Sequence, residues 1–390
     1  MVQQPQKHLR ILILAPQPFY QDRGTPIAVR LLATELARLG HQVDLLVFHE
    51  GEDISIPGVT IFRTSGSPYL KNVRPGFSLK KILCDFRMYN VADTLLQAHP
   101  YDMIHAVEES VFIALRLSKK HKVPYVYDMD SSLPIQLMDK APFLRIFSTP
   151  LQWFEKRAAQ NSSGVVAVCQ DLVDLAVGYA PQTPVVCLED IDLLEHRDGD
   201  EDLRSKYNLN SPLLLYVGNL ESYQGIDLLL DSFSVIKKNQ EPPHLAIIGG
   251  SEDHINHYRA IAKEAGLEPF IVFCGPRDFS LLGYYLTQAD ILVSPRTKGN
   301  NTPMKIYSYL GSGKAVLATR LATHTQVLDD AVACLCEPTP ESFADGISTL
   351  VNNQTLCEKL GENGKKLAQE KYSIDAYRKK LAHFYQDLFH

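Results

Sequence analysis

Short apolar segments alternate with longer amphipathic segments along most of the chain, and this alternation constrains the fold more than any other feature. In the first half, the apolar segments are residues 11–14, 43–48, 59–63, 103–105, 125–127 and 164–168. In the second half, they are residues 213–217, 244–248, 271–274, 291–293, 315–318 and 332–335. Nearly continuous apolar strands separated by helices are typical of parallel sheets covered on both faces. We therefore predict an α/β fold with two Rossmann-like, doubly wound domains.

A charge-rich segment separates the two halves. Seven of the thirteen residues in 189–201 are Asp or Glu, a composition that favours a linker over a core element. We predict a first domain of residues 1–188 and a second domain of residues 189–372. Residues 373–390 show a helical pattern of aromatic side chains and are expected to pack back on the first domain. Because ligands bind at the carboxyl ends of such strands, we expect the two domains to face a ligand-binding cleft.

Composition excludes several classes of protein. A net charge of −6 argues against nucleic acid as a partner. The seven cysteines are scattered without a CxxC motif, which favours a reduced, cytoplasmic protein. The apolar segments are too short to span a membrane. His254 and His257 are three residues apart but lack an identified third ligand, so we predict no metal site.

The clearest indication of a binding site is the segment where the strand at 291–293 enters a loop that opens a helix. Thr302 is expected to cap this helix, with Pro303 at its first helical position. Three cationic residues surround the expected helix start: Arg296, Lys298 and Lys305. Positive charge beside free N–H groups favours an anionic ligand such as a phosphate. The alternative is an ordinary capped helix with solvated charges.

Six further segments carry a family pattern. They are Gln-Pro-Phe at 17–19, Arg-Gly-Thr-Pro-Ile at 23–27, Leu-Gly-His-Gln-Val at 39–43, Tyr-Asp-Met-Ile-His-Ala at 101–106, Tyr-Val-Gly-Asn-Leu-Glu-Ser-Tyr-Gln-Gly at 216–225 and Gly-Lys-Ala-Val-Leu-Ala-Thr at 313–319. In this order they resemble the GT-B glycosyltransferases, most closely the retaining family 4. The resemblance implies transfer of a hexose-like sugar from a nucleotide-diphosphate sugar with retention, without a metal or another cofactor. It also implies that the second domain binds the nucleotide sugar and that the first binds a lipid-linked or saccharide acceptor.

The chain departs from the family pattern at residues that usually serve the chemistry. Asn219 and Gln224 stand where the family has an Arg and a Lys beside the diphosphate. Asn300 and Ser308 stand where it has two Glu, and Asp130 stands where it often has a His. One interpretation is a rebuilt site. The alternatives are a non-catalytic partner or regulatory subunit and a nucleotide-sugar epimerase of the same fold.

In the rebuilt site, Arg296, Lys298, Lys305 and the helix start at Thr302 would neutralise the leaving diphosphate. Four polar residues would hydrogen-bond the donor: Asn219, Gln224, Asn300 and Ser308.

On the first domain, Gly24 is either a turn glycine or the point where backbone approaches a phosphate. His105 and Asp130 are expected at strand ends, where they would position sugar and acceptor. The alternatives are a histidine with satisfied hydrogen bonds and a helix-capping aspartate.

Two amphipathic segments of the first domain, residues 77–95 and 142–157, combine large apolar residues with Lys and Arg. Lys71 and Arg74 precede the first of them. These segments are either core helices with solvated basic faces or an interfacial surface on an anionic membrane. The second interpretation predicts a cytoplasmic protein with peripheral contact at the inner face of the membrane.

Overall fold

The computed structural model divides the chain into two compact units. It describes residues 8–21, 24–66, 70, 78–135, 148–192, 194, 197–209, 212–299 and 301–389. The first unit comprises Met1–Glu189 together with Arg378–His390, and the second comprises Asp190–Tyr377.

The first unit is built on a parallel sheet. Within the described residues its strands are β1 (Arg10–Ala15), β2 (Gln42–Val47), β3 (Val59–Arg63), β4 (Met103–Val107), β5 (Tyr125–Met129), β6 (Gly164–Ala167) and β7 (Val185–Cys187). Their order in the sheet is β3-β2-β1-β4-β5-β6-β7, and every neighbouring pair is parallel. The strand order reverses between β1 and β4, so the carboxyl ends of these two strands mark the switch point of this sheet.

Helices cover this sheet and connect its strands. They are α1 (Gly24–Arg38), α2 (Leu79–Ala98), α3 (Val111–His121), α4 (Ser148–Asn161) and α5 (Gln170–Tyr179). The strand residues are buried because both faces of the sheet are covered, and residues 11–15 of β1 are fully buried.

The second unit repeats the scheme with a second parallel sheet. Its described strands are β8 (Leu213–Val217), β9 (His244–Ile248), β10 (Ile271–Gly275), β11 (Ile291–Ser294), β12 (Ala315–Thr319) and β13 (Cys334–Cys336). The order is β10-β9-β8-β11-β12-β13, so the switch point lies between β8 and β11. Its helices are α6 (Leu203–Tyr207), α7 (Ile226–Lys237), α8 (Glu252–Glu264), α9 (Leu282–Thr287), α10 (Lys305–Ser312), α11 (Ala322–Thr325), α12 (Pro340–Val351) and α13 (Gln354–Lys371).

The last helix, α14 (Ile374–Leu388), returns to the first unit. Arg378 donates from Nε to Glu35 of α1 at 2.6 Å, and Lys380 pairs with Glu189. The ring of Phe384 lies against Gly164, where a Cβ would come within 2.7 Å of it. Ion pairs and close packing therefore hold this helix on the first unit.

The predicted fold class is confirmed, because each predicted apolar segment overlaps a strand of a parallel sheet. The strand β7 was missed, since three residues at a sheet edge give little periodicity to detect. No helix in the described part of the chain is long and apolar enough to cross a bilayer.

Candidate functional site

The switch point of the second sheet brings two loops together. Gly218 and Asn219 follow β8, and Arg296 follows β11 after Pro295. A short turn, Ser222–Gln224, packs against the second loop, because the Thr297 N–H donates to the Tyr223 carbonyl at 3.0 Å. Parallel strands place their carboxyl ends at one edge, so residues distant in sequence meet there.

Lys305 carries the first cation of this edge. Its Nζ donates to Gln224 Oε1 at 3.2 Å and lies 3.9 Å from the centre of the Tyr216 ring. Part of the side chain reaches solvent, but the ammonium lies against the ring and the amide. Burial, reinforced by the positive charge of Arg296, lowers the pKa of Lys305 well below its ordinary value.

Arg296 carries the second cation and is only 8% exposed. Its Nε donates to the Lys298 carbonyl at 2.8 Å, and Nη1 donates to the Asn301 carbonyl at 3.2 Å. The guanidinium carbon lies 5.2 Å from the centre of the Tyr223 ring. Burial lowers the pKa of Arg296 as well. Carbonyl groups and a ring thus hold the guanidinium in place without neutralising it.

These two basic side chains share a property that is unusual in buried surroundings. Among the residues that the structure describes, no carboxylate pairs with Arg296 or Lys305. Buried charges normally carry a partner, because desolvating an isolated ion is costly. The pair therefore forms a site in which an anionic ligand can supply the missing charge.

His324 lies beside the cations and is kept neutral. The ring is fully buried, and burial together with Lys305 and Arg296 lowers the pKa of His324 to about 3. Its Nδ1 lies 2.9 Å from the Thr319 carbonyl, which can only accept, so Nδ1 carries the proton. Its Nε2 then accepts from Ser294 Oγ at 2.9 Å. The Thr319 hydroxyl donates in turn to the Arg296 carbonyl at 2.5 Å, so this neutral network fixes the loop that carries Arg296.

Glycines let the backbone approach the ammonium. Gly218 has φ +149°, and a Cβ there would lie 3.2 Å from Lys305 Nζ and 3.0 Å from Tyr216 Oη. Gly249, which follows β9, has φ +107°, and its Cβ would lie 2.2 Å from the Gly218 carbonyl oxygen. A side chain at Gly218 would occupy the space beside Lys305, and one at Gly249 would clash with the Gly218 backbone, so the two glycines preserve room at this edge.

The remaining predicted donor residues lie in different environments. Gln224 is buried and bonds Lys305, whereas Asn219 is exposed and its Oδ1 accepts from the Glu221 N–H at 3.2 Å. The Lys298 side chain is exposed, and Ser308 is buried in α10. Asn300 lies outside the described residues.

The predicted helix start at Thr302 and Pro303 is wrong. The helix α10 begins at Lys305, and its cap residue is Met304, which has helical backbone angles and makes no side-chain capping bond. The Ile306 N–H donates to the Pro303 carbonyl, a three-residue spacing, so a tighter turn precedes the α-helix. Thr302 itself is buried, and its hydroxyl makes no hydrogen bond with a described residue.

The prediction that His105 ends a strand is also wrong. It is the third of the five residues of β4 and is fully buried. One ring nitrogen bonds the Tyr385 hydroxyl at 2.7 Å and the other bonds Asp128 at 3.0 Å. Because both ring nitrogens are hydrogen-bonded, His105 connects α14 to the first sheet.

The two other predicted residues of the first domain lie where they were expected. Asp130 follows the end of β5, and Gly24 is exposed at the start of α1.

Sequence reasoning missed a carboxylate cluster at the switch point of the first sheet, formed by Asp85, Glu108 and Glu109 around Lys81. Glu109 pairs with Lys81, which is 9% exposed. Burial raises the pKa of Asp85 and of Glu108 to about 7, and the charge of Glu109 acts in the same direction on both. Glu108 also has a left-handed φ of 51°. Two adjacent Glu directly after a buried strand were the available signal.

Comparisons with known proteins fit this architecture. Residues 23–188 match the model of the glycosyl transferase 4-like domain, and residues 200–367 match that of the glycosyl transferases group 1. The chain belongs to the glycosyltransferases of the GT-B fold, and it is a glycosyltransferase.

Individual relatives are similar over nearly the full length. The alpha-monoglucosyldiacylglycerol synthase of Streptococcus pneumoniae is 20% identical over 97% of this chain and 86% of its own. The sucrose-phosphate synthase structure from Thermosynechococcus elongatus superposes with a TM-score of 0.81 at 18% identity, covering 98% of this chain and 99% of its own. The Anabaena HepE structure in complex with UDP-glucose gives a TM-score of 0.73 at 16% identity, covering 97% and 100%.

Proposed function

We propose that this glycosyltransferase binds the diphosphate of a nucleotide-sugar donor at Arg296 and Lys305. The observation that supports it is a pair of enclosed basic side chains without a described carboxylate partner, at the carboxyl ends of β8 and β11. A diphosphate diester carries two negative charges, which match the charges of Arg296 and of protonated Lys305 in the complex. The Gln224 amide offers a further hydrogen bond beside Lys305, and the buried Thr302 hydroxyl, three residues before Lys305 in the chain, bonds no described residue.

The position of Lys305 supports a rebuilt donor site. Gln224 stands where the family pattern has a Lys, and the Lys305 ammonium contacts the end of this glutamine. The positive charge is thus delivered to the same place from α10 instead of from the turn after β8. Arg296 supplies the second charge in place of the Arg that Asn219 replaces.

We propose sugar transfer with retention and without a metal ion. As the bond from sugar to phosphate breaks, negative charge gathers on the diphosphate, and preorganised cations stabilise it. Arg296 and Lys305 would do so from fixed positions. The leaving phosphate would take the acceptor proton, so no protein base is assigned, and Asp130 would orient the acceptor hydroxyl. The UDP-glucose complex of HepE supports a hexose donor.

The acceptor is proposed to be lipid-linked. On α2, the side chains of Ile82, Leu83 and Phe86 are 45%, 55% and 65% exposed. On α4, Trp153 and Phe154 are 53% and 50% exposed. Clustered exposure of large apolar side chains marks an interaction surface.

Basic side chains accompany these apolar residues. Lys80 is exposed on α2, and the Arg157 guanidinium lies 5.3 Å from the Trp153 ring centre on α4. Apolar and basic residues together favour the surface of an anionic membrane. Residues 71–77 and 136–147, which supply part of the predicted interfacial segments, lie outside the described residues. The name of the Streptococcus pneumoniae relative, a glucosyldiacylglycerol synthase, also supports a lipid acceptor.

A transfer assay tests this function. The protein would be incubated with radiolabelled UDP-glucose or GDP-mannose and with either phosphatidylglycerol vesicles containing diacylglycerol or soluble disaccharides. We expect label in the lipid fraction, and the anomeric proton coupling of the product would report retention. Transfer only to disaccharides would contradict the lipid acceptor, and activity that chelation abolishes would contradict metal independence.

Phe86→Asp is expected to weaken binding to phosphatidylglycerol vesicles by roughly 30-fold, because it removes an inserted aromatic ring and adds a repelled charge. Vesicle sedimentation measures the change. Val177→Asp on α5 is the matched control, since Val177 is 46% exposed on a helix outside the proposed surface. Equal losses in both variants, or none in Phe86→Asp, would overturn the membrane contact.

A further inference from the structure

The surroundings of Lys305 favour a neutral amine in the absence of ligand. The centre of the Tyr216 ring on β8 lies 3.9 Å from Lys305 Nζ. Gly218, which follows β8, places no side chain beside the amine. Gln224 Oε1, on the turn after β8, accepts a hydrogen bond from Lys305 Nζ. A neutral amine can donate this bond, so it does not require the charged form.

The charged and titratable neighbours act against a positive charge on Lys305. Arg296 is a permanent cation from the loop after β11, and its charge disfavours a second one nearby. His324 on α11 is neutral and buried, so it contributes no compensating anion. Burial keeps the Tyr216 hydroxyl protonated, since the pKa of Tyr216 is raised well above its usual value. The ring face of Tyr216 attracts the ammonium, but this attraction is weaker than desolvation of a buried ion.

We propose that Lys305 is an uncharged amine in the free protein and takes up one proton from solvent when the donor diphosphate binds. This inference rests on the proposed function, because it concerns the same site. The proton forms an N–H bond at Nζ, and no bond of the donor breaks in this step. A dianion at ion-pair distance favours the charged amine, so the pKa of Lys305 is higher in the complex than in the free protein.

The consequence is a donor affinity that depends on pH. Below the pKa of Lys305 in the free protein, binding takes up no proton and the affinity is constant. Between that pKa and the higher pKa in the complex, the affinity falls about tenfold for each pH unit of increase. The site therefore acquires its second positive charge only when the diphosphate is present.

Calorimetric titration with UDP-glucose or GDP-mannose, whichever binds, measures the proton. The diphosphate diester of these probes keeps its charge across the neutral range, so uptake reports the protein. The titration would be run at several pH values in buffers of different ionisation enthalpy, and we expect uptake that approaches one proton per ligand between the pKa of Lys305 in the free protein and its pKa in the complex. Lys305→Arg keeps the charge but cannot release its proton, so it should bind with uptake near zero.

The outcomes separate this inference from the proposed function. Binding by the wild type without proton uptake, or uptake that Lys305→Arg leaves unchanged, overturns the inference alone. Failure of the wild type to bind either probe overturns the proposed function and this inference with it.

A second measurement keeps the inference testable if the bulkier arginine does not fit. A lysine whose pKa is lowered by folding binds fewer protons folded than unfolded, so stability rises with pH until the unfolded lysine also loses its proton. As pH rises from the lowered pKa of folded Lys305 toward the ordinary pKa of lysine, about 10.4, the unfolding constant of the free wild type should decrease, relative to that of Lys305→Met, by up to about tenfold per pH unit. Parallel pH profiles for the two proteins would contradict the neutral amine.

Discussion

Lys305→Met is expected to reduce nucleotide-sugar affinity by roughly 100-fold or more while making the free protein more stable. The affinity falls because a charge-assisted contact to the diphosphate is lost from an enclosed site, where such contacts are worth about 2–5 kcal/mol. The stability rises, by about 1–3 kcal/mol, because methionine replaces, at similar volume, an amine that has no described carboxylate partner in low-dielectric surroundings. Calorimetric titration with UDP-glucose and thermal unfolding of the free protein measure the two effects.

Lys263→Met is the matched control for this substitution. Lys263 lies exposed in the last turn of α8 in the same unit. Its replacement should leave both affinity and stability nearly unchanged. A loss of stability in Lys305→Met equal to its loss of affinity would indicate a structural role for the lysine instead of a binding role.

Lys81→Met is expected to produce the largest loss of stability in the first unit. Lys81 is the cation around which Asp85, Glu108 and Glu109 are grouped, and it pairs directly with Glu109. Removing one member of a buried ion pair leaves uncompensated charge and typically costs about 3–5 kcal/mol. Urea unfolding monitored by circular dichroism would measure the loss.

The loss should grow with pH. The pKa values of Asp85 and Glu108 are raised to about 7 from ordinary values of 3.8 and 4.5. The folded protein therefore holds protons that the unfolded chain releases, and stability decreases as pH rises from about 4 through about 7. Without Lys81, ionisation of the cluster should cost more, so the variant should be affected far more at about pH 8 than at about pH 5.

A surface ion pair provides the comparison. Lys120 pairs with Asp93 at 2.7 Å, and its side chain is 49% exposed. Lys120→Met should have a small effect, because water screens such pairs. If Lys81→Met were no more disruptive than Lys120→Met, or if its effect did not change with pH, the buried cluster would not carry the charges that the structure assigns to it.

The sequence alone was sufficient to predict the fold and to locate the candidate site at one edge of the second sheet. Apolar segments such as residues 213–217 and 291–293 predicted parallel strands, and parallel strands collect their carboxyl ends at one edge. Arg296, Lys298 and Lys305 were predicted to act together from their spacing around one expected helix start, and Gln224 was added from the family resemblance. The structure groups Gln224, Arg296 and Lys305 but leaves the Lys298 side chain exposed.

What the sequence could not provide depended on tertiary contacts. The partner of His105, Tyr385, is 280 residues away, so local pattern could not show that both ring nitrogens are bonded. The start of α10 shifted because a tight turn at Pro303 precedes it, although Thr302-Pro303 is a typical helix start. The exposure of the Lys298 side chain and the raised pKa of Glu108 also follow from packing that spacing alone does not encode.

The central claim is that Arg296 and Lys305 hold the diphosphate of the donor. A crystal structure of the protein with UDP-glucose tests it most directly. We predict diphosphate oxygens within about 3.2 Å of Lys305 Nζ and of the Arg296 guanidinium. A diphosphate bound elsewhere, with both cations more than about 6 Å from its oxygens, would contradict the account.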